Sequence, residues 1–174
     1  MRVALVGHSQ VPDFKSYHGV EVITAKVRGG HIADAYHHPI STVIESSPDA
    51  IFVWFGGNEL LDQPEAQTAA QLVELVNYIR NFTAVVFVLL VEHRRHKVGS
   101  RFFPYKEYCE RAKRVNKMLK REVRRNHQFH TVNIASPNMA DDSRDGVHFG
   151  PVGKAWVINK LKAAIRAAQR AGEL

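Results

Sequence analysis

An α/β fold built on a five-stranded parallel sheet is what three features of the sequence predict. Short apolar runs, many of them β-branched, recur along the 174 residues. Patterns of helical period separate them, and the runs show little polar alternation, as strands covered on both faces do. The first run, Val3 to Val6, leads into Gly7-His8-Ser9-Gln10, and the second, Val20 to Thr24, is followed by Arg28-Gly29-Gly30-His31. His37 and His38 fall in a short helix candidate. The third run, Ala50 to Phe55, opens into Gly56-Gly57-Asn58-Glu59. Pro64 to Asn81 has helical period, with Ala70, Leu72, Val73, Leu75, Val76 and Ile79 on one face. Ala84 to Val91 is the fourth strand. Lys106 to Arg125 sets Tyr108, Ala112, Val115, Leu119 and Val123 against a dense basic face. His130 to Ile134 is the fifth strand, and Val152 to Gln169 closes the chain with Trp156, Ile158, Leu161, Ala164 and Ile165 expected inward.

Composition narrows the function classes. A hydrophobic content of 45% suits one globular domain spanning residues 1–174. The longest apolar run is strand-sized and far short of a bilayer span. Met1 to Val6 is too short and polar-flanked for a signal peptide, and this abrupt start is expected of a domain cut from a longer polypeptide. The single cysteine, Cys109, excludes an internal disulfide framework and suits a reducing, cytoplasmic compartment. A formal net charge of +7 points to an anionic partner: nucleic acid, anionic lipid, or a larger assembly containing either. No metal or cofactor is expected. His93 and His96 lack a third ligand, and Gly150-Pro151-Val152-Gly153-Lys154-Ala155 lacks the spacing and hydroxyl of a nucleotide-binding loop.

In a parallel sheet, the segments that leave the carboxyl ends of the strands share one edge. Ser9, Gly30, Asn58 and His148 all follow strands, so the pattern brings them together. A serine hydroxyl needs a base to take its proton, and His148 is the candidate. Asp145, three residues earlier, is placed to hold the imidazole tautomer. The Asn58 amide and the backbone N–H groups of Ser9 and Gly30 are candidate donors to a developing oxyanion, with Gly29 the alternative to Gly30. His8 is an improbable rival base, because adjacent residues leaving a strand point in different directions.

These four motifs, from Gly7 to His148, resemble those of the SGNH (GDSL-like) hydrolases. The resemblance implies a three-layer flavodoxin-like fold, Ser9 as nucleophile, His148 and Asp145 completing a triad, and an oxyanion hole of Ser9, Gly30 and Asn58. Two positions depart from the family pattern: His8 replaces the usual Asp before the serine, and Glu59 the usual Asp after Asn58. Both are supporting positions, so they bear on loop geometry. The strings Phe55-Gly56-Gly57-Asn58-Glu59-Leu60 and Ser143-Arg144-Asp145-Gly146-Val147-His148-Phe149 look most like the esterase domains in the first open-reading-frame protein of non-LTR retrotransposons. That resemblance implies a parent protein in a ribonucleoprotein particle.

The segment from Glu92 to Tyr105 combines Arg94, Arg95, Lys97 and Arg101 with Phe102 and Phe103. Cations beside aromatics suit an anionic membrane surface or stacked RNA bases, or the aromatics pack inward at the start of the next helix. The expected activity is hydrolysis of an acyl ester, acetyl or lipid-like, through an acyl-enzyme. The alternative is a catalytically retired module of the same fold that binds RNA or anionic lipid. Acyl length, acceptor and oligomeric state are not legible in the sequence.

Overall fold

The computed structural model describes residues 1–83, 85–93, 104–126, 129–135 and 147–174, with the His38 side chain excepted. Five strands, β1 (Arg2–His8), β2 (Glu21–Val27), β3 (Ala50–Trp54), β4 (Val85–Leu89) and β5 (His130–Val132), form one sheet in the order β2-β1-β3-β4-β5. Every pairing is parallel, with registers such as Val3 to Ala50 and Ala50 to Val85. The helices are α1 (Ile32–Ala35), α2 (His38–Glu45), α3 (Glu65–Ile79), α4 (Tyr105–Asn126) and α5 (Pro151–Ala171), with a 3-10 turn at Glu59–Leu61. This is the predicted α/β fold, and its strand order is the flavodoxin-like one.

Alternation along the strands builds two hydrophobic layers. Ala4 and Val6, Ile51 and Val53, and Val86 and Val88 face one side, where they meet α1 to α4. Val3 and Leu5, Phe52 and Trp54, and Phe87 and Leu89 face the other, where they meet α5. Phe52 and Phe87 stack there at 4.4 Å between ring centroids. β1, β3 and β4 are covered on both faces, as predicted. β2 and β5 are not: they are the edge strands, β2 alternating between half-buried and exposed residues and β5 burying only Val132.

Two helix faces differ from the sequence expectation by one residue. On α5 the inward row is Gly153, Val157, Leu161, Ile165 and Ala168, while Trp156 and Ile158 flank it. The i, i+4 spacing from Gly153 selects Val157 over its bulkier neighbour, and Lys160 lies over the Trp156 ring at 5.3 Å. On α3, Ala69 is buried where Ala70 was expected. Cys109 is a buried, packed thiol on α4.

Candidate active site

The reversal in strand order lies between β1 and β3, and the two motifs that follow these strands flank it. In open α/β sheets this crevice is where ligands bind. Ser9 leaves β1 through a turn closed by the Val11 N–H donating to the His8 carbonyl at 3.1 Å. Gly7 permits the close approach behind it. A Cβ there would collide with the Trp54 carbonyl and lie 2.8 Å from Val11 Cγ2. Ser9 is half-buried and His148 exposed. Ser9 Oγ lies 2.9 Å from His148 Nε2, hydrogen-bond distance for transfer of the serine proton.

His148 is held in place by its neighbours. Gln10 is buried, and its side-chain amide spans the backbone on both sides of the histidine. The Gln10 Nε2 donates to the Val147 carbonyl, and the Phe149 N–H donates to Gln10 Oε1 at 2.9 Å. The Phe149 ring is buried 6.1 Å from the Trp54 ring, fixing the same segment from the core side. Gln10 is a site residue that the sequence reading did not single out. The only local signal was its place after Ser9.

His8 points away from Ser9, as expected of adjacent residues on a strand end. Its Nδ1 accepts the Gln10 N–H at 3.2 Å, so the ring proton of the neutral form sits on Nε2. That nitrogen lies 3.7 Å from Glu92 Oε1, and the Trp54 Nε1–H donates to Glu92 Oε2 at 3.0 Å. Both His8 and Glu92 are buried. The unusual His8 is thus accommodated by a carboxylate from the end of β4, beneath the serine turn.

Asn58 follows β3 through Gly56, whose φ of +102° requires glycine. Its amide Nδ2 donates to the Gly30 carbonyl at 2.9 Å, joining the β3 and β2 motifs. The Gly30 N–H donates to the Val27 carbonyl at 3.1 Å, closing its turn. Service to an oxyanion therefore requires Gly30 to share that donor, as a three-centre bond does. Glu59 ties the same two motifs from below. Its buried carboxylate accepts the Gly56 N–H at 3.1 Å and the Ile32 N–H, and lies 3.4 Å from His31 Nδ1. Tyr108 of α4 donates its hydroxyl to the Gly57 carbonyl at 3.2 Å.

Asp145, Arg94, Arg95, Lys97, Arg101, Phe102 and Phe103 lie outside the described residues. Tyr105, at the start of α4, is exposed. Among the described residues no cluster of His, Cys, Asp or Glu has the arrangement of a metal site. No helix among them is long and apolar enough to cross a membrane.

No family model matches the sequence, and no curated protein matches it. Solved structures do. A lipase/acylhydrolase from Enterococcus faecalis superposes with a TM-score of 0.75 at 20% identity, over 95% of each chain. A GDSL-like lipase from Bacteroides thetaiotaomicron gives 0.77 at 19%, over 96% of this chain and 88% of that one. The fold is that of the GDSL-like acylhydrolases. A catalytic mutant of an acetylxylan esterase from Geobacillus stearothermophilus shares it more distantly, with a TM-score of 0.67 at 13% identity over 92% of this chain and 91% of that one. On this GDSL-like fold, Ser9 and His148 meet at the carboxyl edge of the sheet, and Asn58 and Gly30 meet beside the strand-order reversal.

Proposed function

We propose that the chain is a serine ester hydrolase acting through an acyl-enzyme. The observation that carries this reading is the 2.9 Å contact between Ser9 Oγ and His148 Nε2. In the first half-reaction Ser9 Oγ attacks the ester carbonyl while His148 Nε2 takes its proton. The carbonyl oxygen gains negative charge against the Ser9 N–H, the Asn58 amide and the Gly30 N–H. Collapse breaks the bond to the alcohol, which leaves with the proton from His148. Water then gives a proton to His148 and attacks the acyl-serine. Collapse returns the proton to Ser9 Oγ and releases the carboxylic acid. Asp145 is assigned to orient His148 by its resemblance to the SGNH motif.

The fold shared with acylhydrolases and an acetylxylan esterase supports an ester substrate. Acetyl and lipid-like acyl groups are both within this proposal. Hydrolysis of a p-nitrophenyl ester series, from acetate to longer chains, tests it. The expected result is turnover by wild type that Ser9→Ala and Asp145→Ala lose, with the chain-length profile defining the acyl pocket. Turnover that survives Ser9→Ala would overturn the reading.

The proposal extends to context: an esterase domain of the first open-reading-frame protein of a non-LTR retrotransposon, working inside a ribonucleoprotein particle. The strings Phe55 to Leu60 and Ser143 to Phe149 support it. A reverse-transcriptase reading frame downstream of the coding sequence is the expected genomic finding, and its absence would remove this extension while leaving the esterase untouched.

A further inference from the structure

The positive charge of this chain is concentrated on one helix. α4 carries nine Lys and Arg against three Glu, a balance of +6 in a chain of formal net charge +7. The two flanks of α4 differ. On the flank toward α3, Glu65 accepts from Arg114 Nη2 at 2.6 Å and Nε at 2.9 Å, and lies 3.4 Å from Arg111 Nε. The hydrogen bonds from Arg114 hold the Glu65 carboxyl below its ordinary range. That flank is partly neutralised, two cations sharing one carboxylate.

The other flank is not. Lys117, Lys120, Arg121 and Arg124 are exposed and make no ion pair with any described residue, while Lys113 pairs with Glu110 of its own helix at 2.6 Å. These five side chains line an open cleft of about 380 Å³ between α4 and the segments leaving β4 and β5. Its remaining described lining includes Leu90, His93 and Asn133, and no carboxylate among the described residues. Asn116 fixes this wall, because its buried amide both donates to the Val91 carbonyl at 2.9 Å and accepts the Val91 N–H at 2.7 Å. Burial and the Lys113 charge both push the His93 imidazole below its ordinary range.

Like charges at helical i, i+3 and i, i+4 spacing repel one another, and a polyanion turns that repulsion into attraction. From Lys113 to Arg124 the row runs about 16 Å along the helix axis, at 1.5 Å per residue. A single phosphate would use only part of it. The cations line a concave cleft beside an edge strand, a shape that follows a strand of linked phosphates better than a flat bilayer. Among the described lining residues Leu90 is buried and Ala135 is small, which leaves no exposed aliphatic or aromatic wedge for a membrane, and His93 is the one ring. We propose that this cleft binds the phosphodiester backbone of a single-stranded nucleic acid, without reading its sequence. The cleft lies toward the β5 edge of the sheet, where β4 is two and β5 three strand pairings from β1 and Ser9, so binding there is a function separate from ester hydrolysis.

The test is fluorescence anisotropy of labelled oligouridylate with the full chain, at low and at physiological salt. Wild type is expected to bind with steep salt dependence. Lys117→Glu/Arg121→Glu is expected to weaken binding at least tenfold at low salt and to lower the log–log salt slope by about 1.4, for two lost phosphate contacts. Lys15→Glu/Arg170→Glu, exposed positions outside the cleft, is the charge-matched control, and circular dichroism checks that both variants fold. Equal weakening by the two pairs would reduce the effect to net charge and overturn the site. So would no binding by wild type at low salt, or binding of anionic phospholipid vesicles in place of the oligonucleotide. Ester turnover is measured in the same preparations, so a failure of either assignment is visible without the other.

Discussion

Gln10 and Phe149 are 139 residues apart in sequence, yet the Phe149 N–H donates to the Gln10 side-chain carbonyl at 2.9 Å. With the bond from Gln10 Nε2 to the Val147 carbonyl, one buried amide holds the backbone immediately before and after His148. The residue following the candidate nucleophile thereby positions the candidate base. The Ser9–His148 distance is set by a direct link between the two segments.

Gln10→Ala is therefore expected to lower kcat by about 10- to 100-fold with KM little changed, because a small misplacement of the base costs rate. It should also cost about 1–3 kcal/mol of stability for the stranded Val147 and Phe149 groups. Gln10→Glu keeps the acceptor for Phe149 but loses the donor to Val147, and its kcat should fall between the two. Steady-state kinetics with thermal denaturation reads both effects. An unchanged kcat in Gln10→Ala would remove the positioning role.

Ser9→Ala should reduce ester turnover by at least about a thousandfold while leaving the melting temperature within a few degrees of wild type. Ser9 is half-buried, and its hydroxyl is used at the site and not in the core. A titration of released p-nitrophenolate with time, including the burst of the first turnover, provides the measurement.

Asn58→Ala is expected to lower kcat about a hundredfold if the amide serves the oxyanion. Asn58→Asp should be no better, because a carboxylate offers no donor and places charge beside the developing oxyanion. Comparable kcat values in Asn58→Ala and wild type would assign the amide to bridging Gly30 alone.

Glu59→Ala should lower both stability and turnover. The buried carboxylate accepts the Gly56 and Ile32 N–H groups, and leaving each unpaired costs about 1–3 kcal/mol. A melting temperature lower by roughly 4–24 °C is the expected reading by calorimetry.

Glu65 predicts an acid-side effect. Its folded-state affinity for a proton is lowered by the Arg114 guanidinium, so the unfolded chain binds that proton more readily. The stabilisation is present above the unfolded carboxyl range and is lost as pH falls through the folded one. Glu65→Gln should remove this slope, at a cost near neutrality of about 0.5–1 kcal/mol for a pair at the surface. Urea denaturation midpoints from neutral pH down to acid measure it.

The sequence made the fold legible where composition alone decides it. Apolar β-branched runs marked β1, β3 and β4, and turn residues after them marked the edge where Ser9 and Asn58 sit. Chain order alone does not give a strand's lateral position, so β2 read as fully covered although its pairing leaves it at the edge. The shift from Trp156 to Val157 on α5 has a similar origin. An apolar stripe wide enough for both residues was resolved only by the close fit at Gly153. Ser9 and His148 were legible because their chemistry is rare and their order informative. Gln10 and Glu92 were not, and Glu59 was marked only as a supporting position, since each acts through a contact that only folding creates. Glutamine after a serine carries no sign that its amide will meet residues 147 and 149.

The exposed edge position of β2 bears on how the protein would lose function. β1 and β3 are each zipped on two sides, whereas β2 has a single neighbour and carries Gly30 at its end. Opening free energies within one protein range from near zero at such margins to the full global value at the centre. Amides along Glu21–Val27 are thus, with those of the other edge strand β5, among the ones that should exchange first in deuterated buffer, and mild urea should release that ribbon while the middle of the sheet stays protected. Ser9 and His148 would then still touch, with Gly30, one of the proposed oxyanion donors, swung away. For the proposed esterase, the span of conditions that supports turnover is then narrower than the span over which the chain is folded.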